Sequence, residues 1–193
     1  MRKVWTIVLL FGFAGGVLFA QADSAERGVM FQIGLGTAQI EWPQQAKEIL
    51  DYAEAQPGID RVKVHLNLGL GAAVSENLYL LGSLQGYGDR LEDSYGDYVQ
   101  INAYLFGLGL RWYPFVTGLV LGGDIGAARL VAMGSGVESQ TSEWGNGLGF
   151  TAGYDFGGRP TGLSLILGLR IDGMSIEGES VGTAALFLNL AFK

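Results

Sequence analysis

Apolar residues recur at every second position along eight stretches of this 193-residue chain, and this period constrains the fold more than any other feature. In residues 61–71, RVKVHLNLGLG, every second residue is aliphatic and the residues between them are polar or glycine. Successive side chains of a β-strand point to opposite faces, so such a segment has one apolar and one polar face. The chain is therefore predicted to be an all-β protein built from two-faced strands.

The connections between the eight stretches alternate in length. Short ones follow the second, fourth and sixth stretches (residues 74–77, 113–118 and 157–160). Long ones follow the first, third, fifth and seventh (residues 43–58, 89–97, 130–145 and 173–181). In an antiparallel sheet, this alternation places all the long loops on one side. An even number of strands, short turns on one side and long loops on the other are typical of bacterial outer-membrane barrels.

The first long loop is predicted to contain a short amphipathic helix over residues 44–56. Ala46, Ile49, Leu50 and Ala53 recur at helical spacing, Pro43 stands at the start and Pro57-Gly58 follows the end. The pattern leaves open whether this helix occludes the barrel mouth.

The composition of the two strand faces decides between two kinds of barrel. A soluble barrel would keep its apolar face inside. The second face here is largely Gly, Ala, Ser and Asn, and the chain contains 32 Gly. Glycine facing water would pack against nothing, whereas an eight-stranded barrel interior is only just wide enough for side chains. We therefore predict an eight-stranded antiparallel transmembrane β-barrel with its apolar face outside.

Aromatic residues near the strand ends support this orientation, because Trp and Tyr gather at membrane interfaces. The predicted membrane-interface aromatics are Trp42, Trp112, Tyr113, Trp144, Tyr154, Phe156 and Phe192.

The N-terminus has the pattern of a secretory signal. Arg2 and Lys3 precede an apolar run from Val4 to Ala20, and Ala20-Gln21-Ala22 matches a cleavage site. We predict a signal peptide over residues 1–22 and a barrel over residues 23–193, exported to the outer membrane. The alternative is an uncleaved membrane anchor. No later segment approaches the ~18 to 20 apolar residues of a membrane helix.

Composition excludes several functions. The chain has no Cys, so it forms no disulfide, no Cys-ligated metal site and no lipidated N-terminal Cys. The formal net charge of −7 argues against a nucleic-acid partner. We expect no cofactor and no metal.

Ionisable residues on the inner faces form a predicted lumen polar network. Its members are Arg61, Lys63, His65, Asp89, Arg111, Asp124, Asp155, Arg170 and Asp172. Buried charges must be paired or hydrogen-bonded, and the numbers of basic and acidic groups match, which favours a polar plug. The alternative is a conducting path lined by charges.

His65 is the only histidine, and an enzyme is therefore weakly supported. It is predicted to lie inside the barrel and below the outer rim, where a lipid substrate approaching from outside would not reach it. A hydrogen-bonded packing role is the alternative that the pattern favours.

The chain ends in TAALFLNLAFK, alternating apolar residues that finish at Phe192. This ending and the strand pattern resemble the small eight-stranded outer-membrane barrels, which include the OmpA membrane domain, OmpX and OmpW. The resemblance implies outer-membrane lipid around the barrel and recognition of the last strand by the barrel assembly machinery. We also expect a monomer.

Three functions remain open at the level of sequence. The first is a surface-exposed structural or interaction protein acting through its long loops. These loops carry Glu92, Asp93, Asp97, Glu138, Glu143, Glu177 and Glu179, which could bind an extracellular ligand. The second is a narrow OmpW-like channel for small solutes. The third is an enzyme that modifies lipid A.

Overall fold

The computed structural model describes residues 28–115, 118–157 and 162–193, and within these ranges the chain forms nine strands and one helix. The elements are β1 (Val29–Glu41), α1 (Gln44–Glu54), β2 (Ile59–Ser75), β3 (Leu78–Asp93), β4 (Tyr98–Trp112), β5 (Leu119–Gly134), β6 (Val137–Thr141), β7 (Gly145–Asp155), β8 (Leu163–Ile176) and β9 (Glu179–Phe192). The predicted signal peptide, residues 1–22, lies outside the described residues. No helix in the described ranges is long and apolar enough to cross a membrane.

Antiparallel pairing closes the sheet into a barrel. Apart from β6, each strand pairs with its neighbour along the chain; β5 pairs with both β4 and β7, and β9 returns to β1. The short strand β6 pairs only with the end of β5, so it extends one hairpin and adds no strand to the wall. The predicted eight-stranded antiparallel barrel, with a short helix after its first strand, is confirmed.

Burial is inverted relative to a soluble barrel. On β8, Leu169 is 62% exposed while the next residue, Arg170, is 1% exposed. The same alternation of exposed and buried residues recurs on β2 and β9, where the exposed side chains are mostly aliphatic. A wall of this kind is stable against hydrocarbon, and closure leaves no unpaired strand edge in the lipid. The barrel is therefore a transmembrane one, with an apolar outer wall.

Three of the four predicted long loops are mostly strand, which corrects the sequence-based boundaries. Residues 89–97, 130–145 and 173–181 are hairpin ends in which the strands continue to within a few residues of the turn. Beyond the membrane, outward side chains no longer need to be apolar, as Arg90 and Glu92 illustrate. The hydrophobic alternation therefore stops while the backbone pairing continues.

The β8–β9 hairpin shows how tightly these ends turn. Glu177 and Gly178 form its two-residue loop, and both have positive φ, 54° and 83°. Two-residue hairpins favour this conformation because it matches the twist of the strands.

Helix α1 is docked on the barrel mouth. We call this end the outer mouth, and the end with the short turns the inner mouth. Leu50 is fully buried in a cluster with inward residues of six strands, and Ala46 and Ala53 pack against the same cluster. Ile49 is 61% exposed, so only part of the predicted apolar stripe is buried. The helix thus covers the outer mouth.

Replacing Leu50 by Ala should loosen α1 without unfolding the barrel. Truncating a buried leucine costs roughly 2 kcal/mol where the surroundings can settle, which corresponds to about a 30-fold larger open population. Trypsin cleavage after the exposed Lys47 reports that population. The control Ile49→Ala truncates an exposed neighbour and should leave the cleavage rate unchanged. Equal cleavage rates for the two variants would show that α1 is not held by Leu50.

Candidate functional site

The barrel interior is filled in layers. An outer apolar cluster lies next to α1 and consists of Ala38, Ile40, Trp42, Leu50, Tyr87, Leu91, Ala103, Leu105, Ala128, Met174, Ile176, Val181 and Ala185. An inner apolar cluster consists of Met30, Leu81, Tyr113, Val120, Ile166, Phe187 and Ala191. On β8, Ile166 belongs to the inner cluster and Met174 to the outer cluster, and Arg170 stands midway between them. The charged residues therefore occupy the layer between two apolar ones.

Arg170 is the centre of this middle layer. Its guanidinium donates to Asp124 at 2.6 Å, to Asp172 at 2.5 Å and to Thr151 at 3.1 Å. Arg111 reaches the same Asp124 carboxylate at 3.1 Å from the neighbouring strand. These charged side chains are almost fully buried, so each charge depends on its partners for solvation.

Asp172 collects further donors besides Arg170. Thr183 donates to its Oδ2 at 3.1 Å, and the Tyr87 hydroxyl donates to the same oxygen. Since every oxygen has a donor, the carboxylate is satisfied without water. The middle layer is a cross-linked plug that ties β3, β4, β5, β7, β8 and β9 together.

Glycine makes room for this plug. A Cβ at Gly149 would collide with Asp172 Oδ1 and Arg170 Nη2, and a Cβ at Gly109 would collide with the Asp124 carboxylate. The close approach of charged side chains to the wall therefore requires glycine at these two positions.

A second ion-paired group fastens the outer mouth. Asp89 is fully buried and accepts two hydrogen bonds from Arg61, at 2.8 and 2.7 Å, and one from the Trp42 indole at 2.8 Å. Arg61 also pairs with Glu54 at the end of α1 and lies 3.6 Å from Asp51. These contacts connect the wall to α1 directly.

A third group closes the inner mouth. Lys193 donates to Asp155 at 2.5 Å, and the Tyr113 hydroxyl donates to the same oxygen at 3.0 Å. The Lys193 ammonium also lies 4.7 Å from the centre of the Tyr113 ring. The last residue of the chain is thus part of the interior.

His65 lies apart from the ion pairs. It is fully buried, its Nε2 lies 3.2 Å from Gln85 Oε1, and its ring stacks on Tyr87 with centroids 4.8 Å apart. Phe187 contacts it edge-on at 6.0 Å. A lipid outside the wall has no access to this imidazole.

The structure distributes the nine predicted lumen residues over these groups. Arg111, Asp124, Arg170 and Asp172 meet in the middle layer, Arg61 and Asp89 meet at the outer mouth, and Asp155 lies at the inner mouth. Lys63 is partly buried opposite Asp89 in the β2–β3 register. His65 joins none of the ion pairs. Sequence reasoning did not anticipate that Lys193 pairs with Asp155.

Two predicted interface aromatics are corrected. Trp42 is 6% exposed and bonds to Asp89, and Tyr113 is 1% exposed and bonds to Asp155, so both point into the barrel. The sequence contained a signal for this inward orientation. Trp42 is an even number of residues from the inward Gln32 of β1, and Tyr113 is two residues from the inward Arg111 of β4. The other five, Trp112, Trp144, Tyr154, Phe156 and Phe192, are about half exposed on the outer wall.

The described residues contain no cluster of three or more His, Asp or Glu side chains that could hold a metal ion. The charged side chains of the interior neutralise one another. The surfaces that remain accessible to a binding partner are the outer wall and the outer mouth.

Comparison with known proteins bears on the fold. No family model and no curated protein matches the sequence. Among solved structures, Neisserial surface protein A is 13% identical, with a TM-score of 0.64, over 88% of this chain and 99% of that one. Ail, the attachment invasion locus protein of Yersinia pestis, is 17% identical, with a TM-score of 0.56, over 87% of this chain and 100% of that one.

The chain has the fold of the small eight-stranded outer-membrane barrels. Its apolar outer wall agrees with that fold and places the barrel in a bacterial outer membrane.

Proposed function

We propose that the protein is a non-enzymatic surface protein of the outer membrane that acts through α1 and the neighbouring hairpin ends. The observation that carries this proposal is the filled lumen, in which two apolar clusters enclose a charged layer. A barrel without an open path can still present its outer mouth as a rigid recognition surface.

The outer mouth has features of a contact surface. Ile49 and Tyr52 on α1 are 61% and 74% exposed, and Tyr95 in the β3–β4 turn is 93% exposed. Large side chains that remain exposed on a docked helix support a recognition role. The burial of Leu50 and the pairing of Arg61 with Glu54 hold this surface in place.

The charge of this surface suggests its partner. The hairpin ends carry Glu92, Asp93, Asp97, Glu138, Glu143, Glu177 and Glu179, with Arg90 as their main basic counterpart. Ail has been solved with the heparin analogue sucrose octasulfate. An acidic rim disfavours such a polyanion, so we propose a basic extracellular partner with an apolar contact for Ile49 and Tyr52.

Adhesion of bacteria that display the barrel tests the proposal. A non-adherent host expressing it should bind an epithelial cell layer better than the same host with an empty vector. The double variant Ile49→Ser, Tyr52→Ser should return adhesion to the vector level, because it removes the exposed apolar contact. Gln45→Ser, on the exposed face of the same helix, is the control and should leave adhesion unchanged. Equal adhesion of the vector, wild-type and double-variant hosts would contradict the proposal.

The alternative is a narrow channel for small solutes. Charged and amide side chains from the outer to the inner mouth support it, since they could solvate an ion if the lumen opened. This function would require α1 and the Arg170 cluster to move aside. Lipid A modification has the least support, because the buried His65 is remote from any lipid.

The remaining partners are proposals of the same kind. We expect β9 and its Phe192 to be recognised by the barrel assembly machinery, and the folded protein to be a monomer without a nucleic-acid partner.

A further inference from the structure

A groove crosses the outer wall over the five neighbouring strands β9, β1, β2, β3 and β4. It measures about 530 Å³ and is lined by Ile33, Gly34, Leu35, Leu66, Asn67, Leu68, Leu84, Gly86, Tyr104, Leu188 and Leu190. We call it the wall groove. Its size falls in the ~300–1,000 Å³ range of small-molecule sites. Because this wall faces hydrocarbon, an acyl chain is the chemistry that fits the lining.

Gly86 creates the depth of the wall groove. It lies on the outward face of β3, where a Cβ would stand 3.5 Å from Tyr104 Cε1 and 3.6 Å from Leu66 Cβ. Those are ordinary contact distances, so crowding does not require glycine here, in contrast to Gly149 inside the barrel. The missing side chain leaves space that Leu66 and the Tyr104 ring border.

The wall groove climbs toward the outer mouth. Leu188, Leu35, Leu66, Gly86 and Tyr104 occupy paired positions on five successive strands, and Tyr104 is paired with Arg129 on β5. Leu188 lies near the inner end of β9, whereas Arg129 lies near the outer end of β5. This row of paired residues therefore runs from the membrane interior to the outer membrane interface, where it ends at Arg129.

Arg129 is held in place by an aromatic ring and a backbone carbonyl oxygen. Its guanidinium lies 5.0 Å from the centre of the Trp144 ring, and its Nε donates to the Ser142 carbonyl oxygen at 2.9 Å. It makes no ion pair with any residue in the described ranges. Arg90, the other outward arginine of this region, is already paired with Glu92 at 2.7 Å and stacked on Tyr98.

Aromatic contacts connect the wall groove to this cation. The Tyr104 and Phe106 rings lie 6.2 Å apart, and Phe106 contacts Trp144 edge-on at 5.8 Å. Trp and Tyr mark the level of lipid headgroups, and a guanidinium suits a phosphate because its fork of donors matches the oxygens.

We infer that the outer wall binds one phosphorylated lipid of the outer leaflet, with an acyl chain in the wall groove and a headgroup phosphate on Arg129. The proposed lipid site uses none of the charged residues of the lumen and no residue of α1. It is therefore independent of the proposed recognition surface on α1.

Native mass spectrometry of the full-length barrel, released from nanodiscs of phosphatidylcholine with a minor fraction of lipid A, tests this inference. The wild type should retain one lipid A molecule and little phosphatidylcholine. Arg129→Gln should lower the retained fraction about tenfold, because it removes a charge-assisted contact to phosphate. Gly86→Leu should lower it similarly by filling the wall groove.

Two matched variants separate the site from general effects. Arg90→Gln removes an outward charge that is already paired, and Gly173→Leu adds the same side chain on β8, where a Cβ meets nothing within 4 Å. Both should retain lipid A like the wild type. If Gly86→Leu does not fold, the comparison of Arg129→Gln with Arg90→Gln decides.

Several results would overturn the inference. One is equal retention of lipid A by Arg129→Gln, Arg90→Gln and the wild type. Another is displacement of lipid A by excess inorganic phosphate, which would indicate a site for a free anion. A third is a wild-type dimer that Gly86→Leu abolishes with no change in lipid A retention, which would assign the wall groove to a second copy of the chain.

Discussion

Arg170→Met should lower the free energy of unfolding of the barrel by about 3–5 kcal/mol, the usual cost of removing one partner from a buried ion pair. Methionine has a similar length and restores the packing, but it leaves Asp172 without a cation and Asp124 with Arg111 alone. Both carboxylates are fully buried and cannot be solvated by bulk water. Urea unfolding of the barrel in lipid vesicles, followed by tryptophan fluorescence, measures the loss.

The matched control is Arg90→Met on the outer wall. Arg90 and Glu92 are paired at 2.7 Å, but their side chains are 41% and 44% exposed. Exposed pairs contribute about 0–1 kcal/mol, so this variant should unfold almost like the wild type. If the free energy of unfolding fell no more in Arg170→Met than in Arg90→Met, water would have to solvate the Asp172 carboxylate that the substitution leaves without a cation. The middle layer would then be hydrated, as a conducting path requires.

Asp89→Ala should destabilise the outer mouth by about 3 kcal/mol, at the low end for a buried charged partner because Arg61 keeps Glu54. The substitution removes the acceptor of two bonds from Arg61 and of the bond from the Trp42 indole. We expect α1 to open more often, with faster trypsin cleavage after Lys47. We also expect the combined tryptophan emission to shift to longer wavelength as Trp42 becomes exposed, while Trp112 and Trp144 contribute unchanged.

Asp60→Ala provides the control for Asp89→Ala. Asp60 is an exposed carboxylate on β2, one residue from Arg61, and surface substitutions of this kind change stability by about 0.5 kcal/mol or less. If Asp89→Ala had the same cleavage rate and tryptophan emission as the wild type, the Asp89 carboxylate would not be what holds the outer mouth closed.

The side of the wall on which a residue lies could be predicted from its even or odd position. On β8, Leu169 and Arg170 fall on opposite sides as the alternation requires, and Leu81 falls inside although it is apolar. Trp42 and Tyr113 were assigned wrongly where residue type was preferred to position. An aromatic at a strand end can serve a membrane interface or bond to a buried carboxylate, and only its even or odd position distinguishes the two.

Partners inside the lumen could not be predicted in the same way. Which side chains meet across the barrel depends on strand tilt and register, which the alternation leaves undetermined. Arg111 and Asp155 were predicted as members of one lumen network, yet Arg111 pairs with Asp124 and Asp155 pairs with Lys193. The hairpin ends were also missed, because their outward residues no longer need to be apolar and the hydrophobic signal disappears there.

Planar-bilayer recording of the folded wild-type barrel tests the filled lumen most directly. The outer cluster around Leu50, the Arg170 plug and the inner cluster around Tyr113 each close the path, so insertion should produce no conductance steps. Folding is verified on the same sample by its β-sheet circular dichroism and its resistance to trypsin. Stable, ion-selective conductance steps from that folded protein would contradict the account and favour the narrow channel.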